Sequence, residues 1–231
     1  MALSTWWKND SIPWFAPIPN LLVTQVDDIV EQARINRLST QEVQSRIDGG
    51  NIPYAAYLDG QPASYGWVGT RDASIGELDL VFSLPIRQHY LWDFATLPEF
   101  RGRGLYPRLL QGILQAEAPN ADKFWIIHAP ENLPSGAGID RAGFEAVGQL
   151  SFRLEGGAGL KPFDNLERAQ AGAVLLGLEL IDAVLSPCWC CGAAEENHCG
   201  VEEAIACWPP VRPNAAVQCT CAIEIKKPNG R

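Results

Sequence analysis

The chain has 231 residues, 47% of them hydrophobic and 8 of them tryptophan, so it can bury the core of one large or two small domains. A formal net charge of −9 excludes non-specific nucleic-acid binding, which draws its affinity from lysines and arginines that neutralise phosphates. No membrane span is expected, since the nearest apolar stretch, 169–185, is broken by Gln170, Glu179 and Asp182, and the opening MALSTWWKND does not read as a signal peptide, which makes the cytoplasm the expected compartment.

Residues 1–20 place Trp6, Trp7, Trp14 and Phe15 among Pro13, Pro17 and Pro19. Proline at that density excludes a continuous helix, so the segment reads as an extended arm whose aromatics cap an exposed face, or else stack on a ligand. Residues 27–37 and 40–47 read as two short helices. The second has Thr40 at its start, Glu42 in its first turn, and Val43 and Ile47 on one face. Residues 51–58 and 61–69 read as two strands joined by an Asp59-Gly60 hairpin turn.

The most informative segment follows. An apolar run over 90–97 ends at Pro98, and Arg101-Gly102-Arg103-Gly104 opens a stretch in which Leu105, Leu109, Ile113 and Leu114 share one helix face. A strand that feeds a glycine-rich turn and then a helix N-terminus makes an anion site. Unpaired backbone N–H groups converge there, the helix dipole adds positive potential, and glycines admit a phosphate to the backbone. Arg101 and Arg103 add guanidinium donors. On these residues alone, a plain tight turn with two solvated arginines is an equal alternative.

Downstream, 123–128 (KFWIIH) reads as a buried strand, Asn132-Leu133-Pro134-Ser135 as a helix start, and 145–154 as an apolar-rich strand after Gly143-Phe144. Residues 155–159 carry a glycine-rich linker signal, and 173–185 fits either a last strand or a helix. From residue 186 the chain becomes a tail that holds all seven cysteines. Cys188 and Cys191 have the spacing of a zinc knuckle, and Cys219 with Cys221 offers a second arm for a structural Zn2+. Buried free thiols, disulfides and a redox pair remain as alternatives.

The run Phe94-Ala95-Thr96-Leu97-Pro98-Glu99-Phe100-Arg101-Gly102-Arg103-Gly104 resembles the central motif of the GCN5-related N-acetyltransferase (GNAT) superfamily. That motif is a strand, a proline, an aromatic and then Gln/Arg-x-x-Gly-x-Gly/Ala into a helix; Tyr106 departs from its last position. Asn132, the short helix and Gly143-Phe144 are similar to the family's later motif. The resemblance spans about residues 20–155. It implies an α/β fold, a central twisted mixed sheet flanked by helices, to which the sequence adds the cysteine-rich C-terminal extension. The implied organisation is an arm over 1–20, an acetyltransferase domain over 21–155, a linker over 156–185 that can hold the domain's last element, and the tail over 186–231.

The resemblance also implies acetyl-CoA as cosubstrate. Arg101, Gly102, Arg103, Gly104, Leu105 and Tyr106 would hold its pyrophosphate, Phe94, Ala95 and Thr96 would run beside the pantetheine, and Asn132 would bond the pantetheine end. Transfer to a small-molecule or protein amine needs a group that takes a proton from the acceptor. Asp93 is the first choice, with a strand-edge structural carboxylate as the equal alternative; Glu77, Asp79 and His89 follow. Where the family often carries a tyrosine acid and sometimes a glutamate base, this chain has Ile139 and Ile127. Three functions are therefore weighed: an N-acetyltransferase, a CoA-binding regulatory domain without catalysis, and a metal- or partner-binding module built on the tail.

Overall fold

The computed structural model describes residues 1–76, 80–152 and 158–182. Its strands are β1 (Ala2–Trp7), β2 (Leu21–Gln25), β3 (Asn51–Leu58), β4 (Gln61–Gly69), β5 (Asp72–Ile75), β6 (Leu80–Ser83), β7 (Gln88–Thr96), β8 (Lys123–His128), β9 (Glu145–Phe152) and β10 (Ala158–Pro162). Its helices are α1 (Ile29–Asn36), α2 (Thr40–Asp48), α3 (Leu105–Glu117), α4 (Leu133–Ala142) and α5 (Leu166–Leu176). Eight strands form one sheet in the order β10-β9-β1-β8-β7-β4-β3-β2, and β5 pairs with β6 as a separate hairpin. In the large sheet β7 and β8 are parallel and the other neighbours antiparallel. The result is the mixed α/β architecture that the sequence implies.

Local chemistry sets most of these boundaries. Asp59 and Gly60 both adopt positive φ, 52° and 77°, as a two-residue hairpin turn between right-twisted strands requires. Asp28 caps α1 by accepting from the Val30 and Glu31 N–H groups. The cap of α2 is Ser39 rather than Thr40: its hydroxyl accepts from Glu42 N, while the Glu42 carboxylate accepts from Ser39 N, a reciprocal capping box.

The helices cover the sheet in two layers. On one face α3 buries Leu109, Leu110, Ile113 and Leu114 against Val68, Leu91, Phe124 and Ile126. Full burial of each such side chain stabilises the fold by roughly 1.5–3 kcal/mol. On the other face Ala33 of α1 and Val43 of α2 pack against Trp67. Helix α5 buries Ala173 and Leu176 with Leu3, Trp125 and Leu160.

The expected arm over 1–20 proves to be two things. Residues 2–7 are an interior strand, with β1 lying between β8 and β9 and burying Leu3 and Trp6. The prolines begin only at Pro13, so they do not interrupt it. Residues 8–20 then strap across α4 and α3. Gln111 donates to Pro13 O and to Ala142 O, and Arg108 donates to Ala16 O and stacks on Phe15. Of the stretch 173–185, open between strand and helix, the described part to 182 divides: α5 gives way to a C-cap at Gly177 (φ 64°), and Leu180 bridges Leu160 in parallel. The cysteines at 188, 191, 219 and 221 lie outside the described residues. Among the described residues there is no helix long and apolar enough to cross a membrane, and no cluster of metal-ligating side chains.

Candidate functional site

The site starts from a break in strand pairing. β7 and β8 pair in parallel from Gln88↔Lys123 to Leu91↔Ile126 and no further, although β7 runs on to Thr96 and β8 to His128. β7 keeps β4 on its other side, through Tyr65↔Ala95 and Ser64↔Thr96. One edge of residues 92–96 therefore faces a wedge between the two strands, where its backbone groups have no strand partner. An extended ligand with amide groups can pair along that edge. Phe94, Ala95 and Thr96 lie on it.

A helix begins on each side of the wedge. After Thr96 the chain makes a 3-10 turn (Pro98–Phe100) and a loop before α3 starts, and α4 starts shortly after β8. Tyr106 near the start of α3 meets Ser135 and Gly138 of α4, and Gln111 one turn on meets Ala142. The two helices thus run in the same direction and present both N-termini at one end, where their dipoles favour an anion.

The start of α3 is built for backbone approach. Gly102 and Gly104 have φ of 75° and 68°, values that favour glycine, and no side chain caps the helix. A Cβ added at Gly102 would meet nothing within 4 Å, and one at Gly104 would meet only the end of Arg108. Leu105 and Tyr106 begin the helix with N–H groups that lack intrahelical acceptors, and Pro107 has none to leave unpaired. The loop arginines also hold the loop: Arg101 Nε donates to Thr96 O at 3.1 Å, and Arg103 donates to Glu99 O and lies over the Phe100 ring. These features fit a pyrophosphate.

Tyr106 fills the space between the strands' helices. Its ring packs on Phe94 and against Gly138, and its hydroxyl is 3.4 Å from Ser135 Oγ. Burial pushes its pKa up to about 12, against the opposing pull of the Ser135 contact, so it is a proton donor across ordinary pH. Asn132 is the N-cap of α4, with Oδ1 accepting from Ser135 N at 3.2 Å. That leaves its amide Nδ2 to donate to a ligand.

Asp93 occupies a β-bulge. Pairing with β4 shifts between Tyr65↔Ala95 and Trp67↔Trp92, which places Asp93 and Phe94 opposite the single residue Gly66. Asp93 adopts φ 52°, an uncommon value for a residue with a side chain. The bulge leaves Trp92 and Asp93 on one face and Phe94 on the other. Phe94 joins the core beneath α3, and the Asp93 carboxylate meets Arg46 of α2 at 2.5 Å. Arg46 lies over the rings of Trp67 and Trp92, at 5.0 and 4.6 Å from their centroids. Tyr65 belongs to the same neighbourhood: burial lifts its pKa first, Asp93 adds to the rise, and Arg46 and Arg37 oppose it.

The other candidates fare differently. His89 is buried at the paired end of β7, with Nδ1 3.8 Å from Glu117, so it is not brought to the wedge. Glu77 and Asp79 lie outside the described residues. Ile139 is buried in the core beneath α3, so α4 offers no acid there. Sequence reasoning missed Arg46, Trp92 and Tyr65; their only sequence signal was the strand and helix periodicity that placed them on opposing elements.

The sequence model of the acetyltransferase (GNAT) family matches residues 22–144. No curated protein matches the chain. Among solved structures, the chain is similar to a GNAT-family acetyltransferase from Novosphingobium aromaticivorans, with 17% identity over 63% of this chain and 59% of that one at a TM-score of 0.44. A GCN5-related N-acetyltransferase from Kribbella flavida matches at 17% identity, over 63% and 53% of the two chains and also at a TM-score of 0.44. The aminoglycoside N-acetyltransferase AAC(6')-Iy in complex with CoA matches at 20% identity, over 57% of this chain and 96% of that one, with a TM-score of 0.44. The chain thus spans less than two thirds of the length of the first two.

Proposed function

The chain belongs to the acetyltransferase (GNAT) family, and from that premise we propose that it transfers an acetyl group from acetyl-CoA to an amine. The observation that carries this reading is the uncapped N-terminus of α3, with Gly102 and Gly104 open to approach, at the mouth of the wedge between β7 and β8.

In this reading Gly102, Gly104, Leu105 and Tyr106 hold the pyrophosphate through backbone N–H groups, with Arg101 and Arg103 adding charge. Phe94, Ala95 and Thr96 pair with the pantetheine amides, and Asn132 donates to the same arm. Bound acetyl-CoA supplies the thioester. The acceptor nitrogen forms a bond to the acetyl carbon, the carbon–sulfur bond breaks with its electron pair leaving on sulfur as the CoA thiolate, and the proton lost by the amine goes to Asp93. Positioning of amine and thioester in one cleft supplies a large part of the acceleration. Tyr106 stays protonated and closes the space between α3 and α4.

Calorimetry with acetyl-CoA, followed by free-thiol release with a panel of amines, tests the proposal. Binding together with amine-dependent thiol release is the expected result. Binding without thiol release on any amine would favour a regulatory CoA-binding domain, and no binding would remove the reading.

A further inference from the structure

The chain's net charge of −9 points towards cationic acceptors, yet the bulge holds a guanidinium with donors to spare. Among the described residues Arg46 makes one side-chain hydrogen bond, from Nη1 to Asp93 Oδ2. Its other N–H groups, out of the five a guanidinium carries, have no protein acceptor there. The rings of Trp67 and Trp92 hold it from the α2 side of the sheet, and its side chain is 23% exposed. It is therefore a fixed fork rather than a mobile surface charge. Trp92 is itself held by donating Nε1 to Asn51 Oδ1, whose Nδ2 donates to Arg46 O.

A second cation belongs to this neighbourhood. Arg37 is the C-cap of α1, exposed, and in the left-handed conformation (φ 58°). Arg37 and Arg46 both act on the Tyr65 hydroxyl in opposition to Asp93. The Arg46 guanidinium, with donors beyond the one Asp93 takes, stands on the face where the acceptor must approach, because α3 and α4 occupy the other face.

We propose that this face selects an acceptor bearing an anionic group beside its amine, a free amino acid being the simplest chemistry, with Arg46 as the specificity residue that receives the carboxylate. The inference rests on the acetyltransferase reading and names its acceptor class. Asp93 and Arg46 then divide the work: the carboxylate takes the ammonium end, and the remaining donors of the guanidinium take the anion in the bidentate manner that suits a fork.

The experiment compares acetylation of leucine and glutamate with that of leucinamide and spermidine by the full chain. A preference for the free acids of about tenfold or more in kcat/KM is expected, the size of one charge-assisted contact. Arg46→Gln should raise the KM for the acids to that of the amide while the KM for acetyl-CoA stays unchanged, and Arg46→Lys should restore part of the preference. Arg37→Gln, at an exposed position, should lower the preference even if Arg46→Gln fails to fold. Equal rates on acid and amide, a preference for spermidine, or transfer to none of the acids by protein that binds acetyl-CoA would each overturn the inference and leave the acetyltransferase reading standing. Absence of acetyl-CoA binding would overturn both.

Discussion

The ring of Tyr106 lies so close to Gly138 that a Cβ on the glycine would come within 2.4 Å of Tyr106 Cδ1. This contact fixes how near α3 and α4 approach and, with it, the spacing of their two N-termini. Gly138→Ala improves helix propensity by about 1 kcal/mol, but overpacking at such a distance costs roughly 1–3 kcal/mol. The expected outcome is a lower melting temperature and weaker acetyl-CoA binding, because the ring must move towards Phe94 or α4 must move away. Tyr106→Phe keeps the ring and should leave both quantities nearly unchanged. Wild-type stability in Gly138→Ala would show that the helices separate freely.

Gly104→Val should abolish acetyl-CoA binding in calorimetry. Its φ of 68° is unfavourable for a β-branched residue, and the side chain would stand where a phosphate must approach. Arg101→Ala should cost less, about 1–3 kcal/mol for loss of a charged hydrogen bond. Part of that effect would come through the loop, since Arg101 also tethers it to Thr96 O. Tight binding by the valine variant would remove the pyrophosphate assignment.

The hairpin over 51–69 and the turn at 101–104 were legible because their signals are local: Asp-Gly demands positive φ, and a glycine-rich run before an amphipathic stretch marks a helix start. The helix cap was misplaced by one residue because Ser39 and Thr40 are both good caps, and only Glu42, three residues after Ser39, decides between them. β1 was not legible as an interior strand. Its place between β8 and β9 depends on pairing with residues more than 100 positions away, and the nearby prolines suggested an arm. The Arg46–Asp93 pair spans 47 positions, and nothing in the local sequence around Arg46 signals it. Nothing local announces the bulge either, since Asp93 is not glycine.

Acid should weaken the fold through His128. Burial lowers its pKa from 6.5 to about 4, the positive amino terminus adding to the effect. Its Nδ1 is buried with no hydrogen-bond partner, and the ring packs against Gly136. Because the folded pKa lies below the unfolded one, the unfolded chain binds a proton between pH 6.5 and 4 that the folded chain refuses. Stability contributed by the neutral ring is therefore present above pH 6.5 and lost as pH falls to about 4, a loss on the order of 2–3 kcal/mol. Burial shifts His89 in the same direction, with Glu117 opposing. Urea midpoints should fall from pH 7 to 5, and His128→Phe should flatten that slope. An equally steep fall in the variant would assign the effect to other groups.

The tail is tested by elemental analysis of full-length protein purified under reducing conditions. From the sequence spacing, Cys188, Cys191, Cys219 and Cys221 are expected to hold about one zinc per chain. Cys188→Ser with Cys191→Ser should release it and leave acetyl-CoA binding in place, since the loop and wedge residues all precede residue 145. Metal-free protein would favour packed or oxidised thiols.

Asp93→Asn separates a chemical role from a structural one. The asparagine is nearly isosteric, and it can still accept from Arg46 through its side-chain oxygen while losing the capacity to take a proton. If Asp93 deprotonates the acceptor, kcat should fall by about 10²–10⁴, the usual range for general base catalysis, with the acetyl-CoA KM nearly unchanged. The loss should shrink at high pH, where the amine arrives already neutral. If Asp93 only anchors Arg46, the same variant should lower the melting temperature and leave kcat within a few-fold of wild type at every pH. Thiol-release rates from pH 6 to 9, measured beside thermal melts, decide between the two.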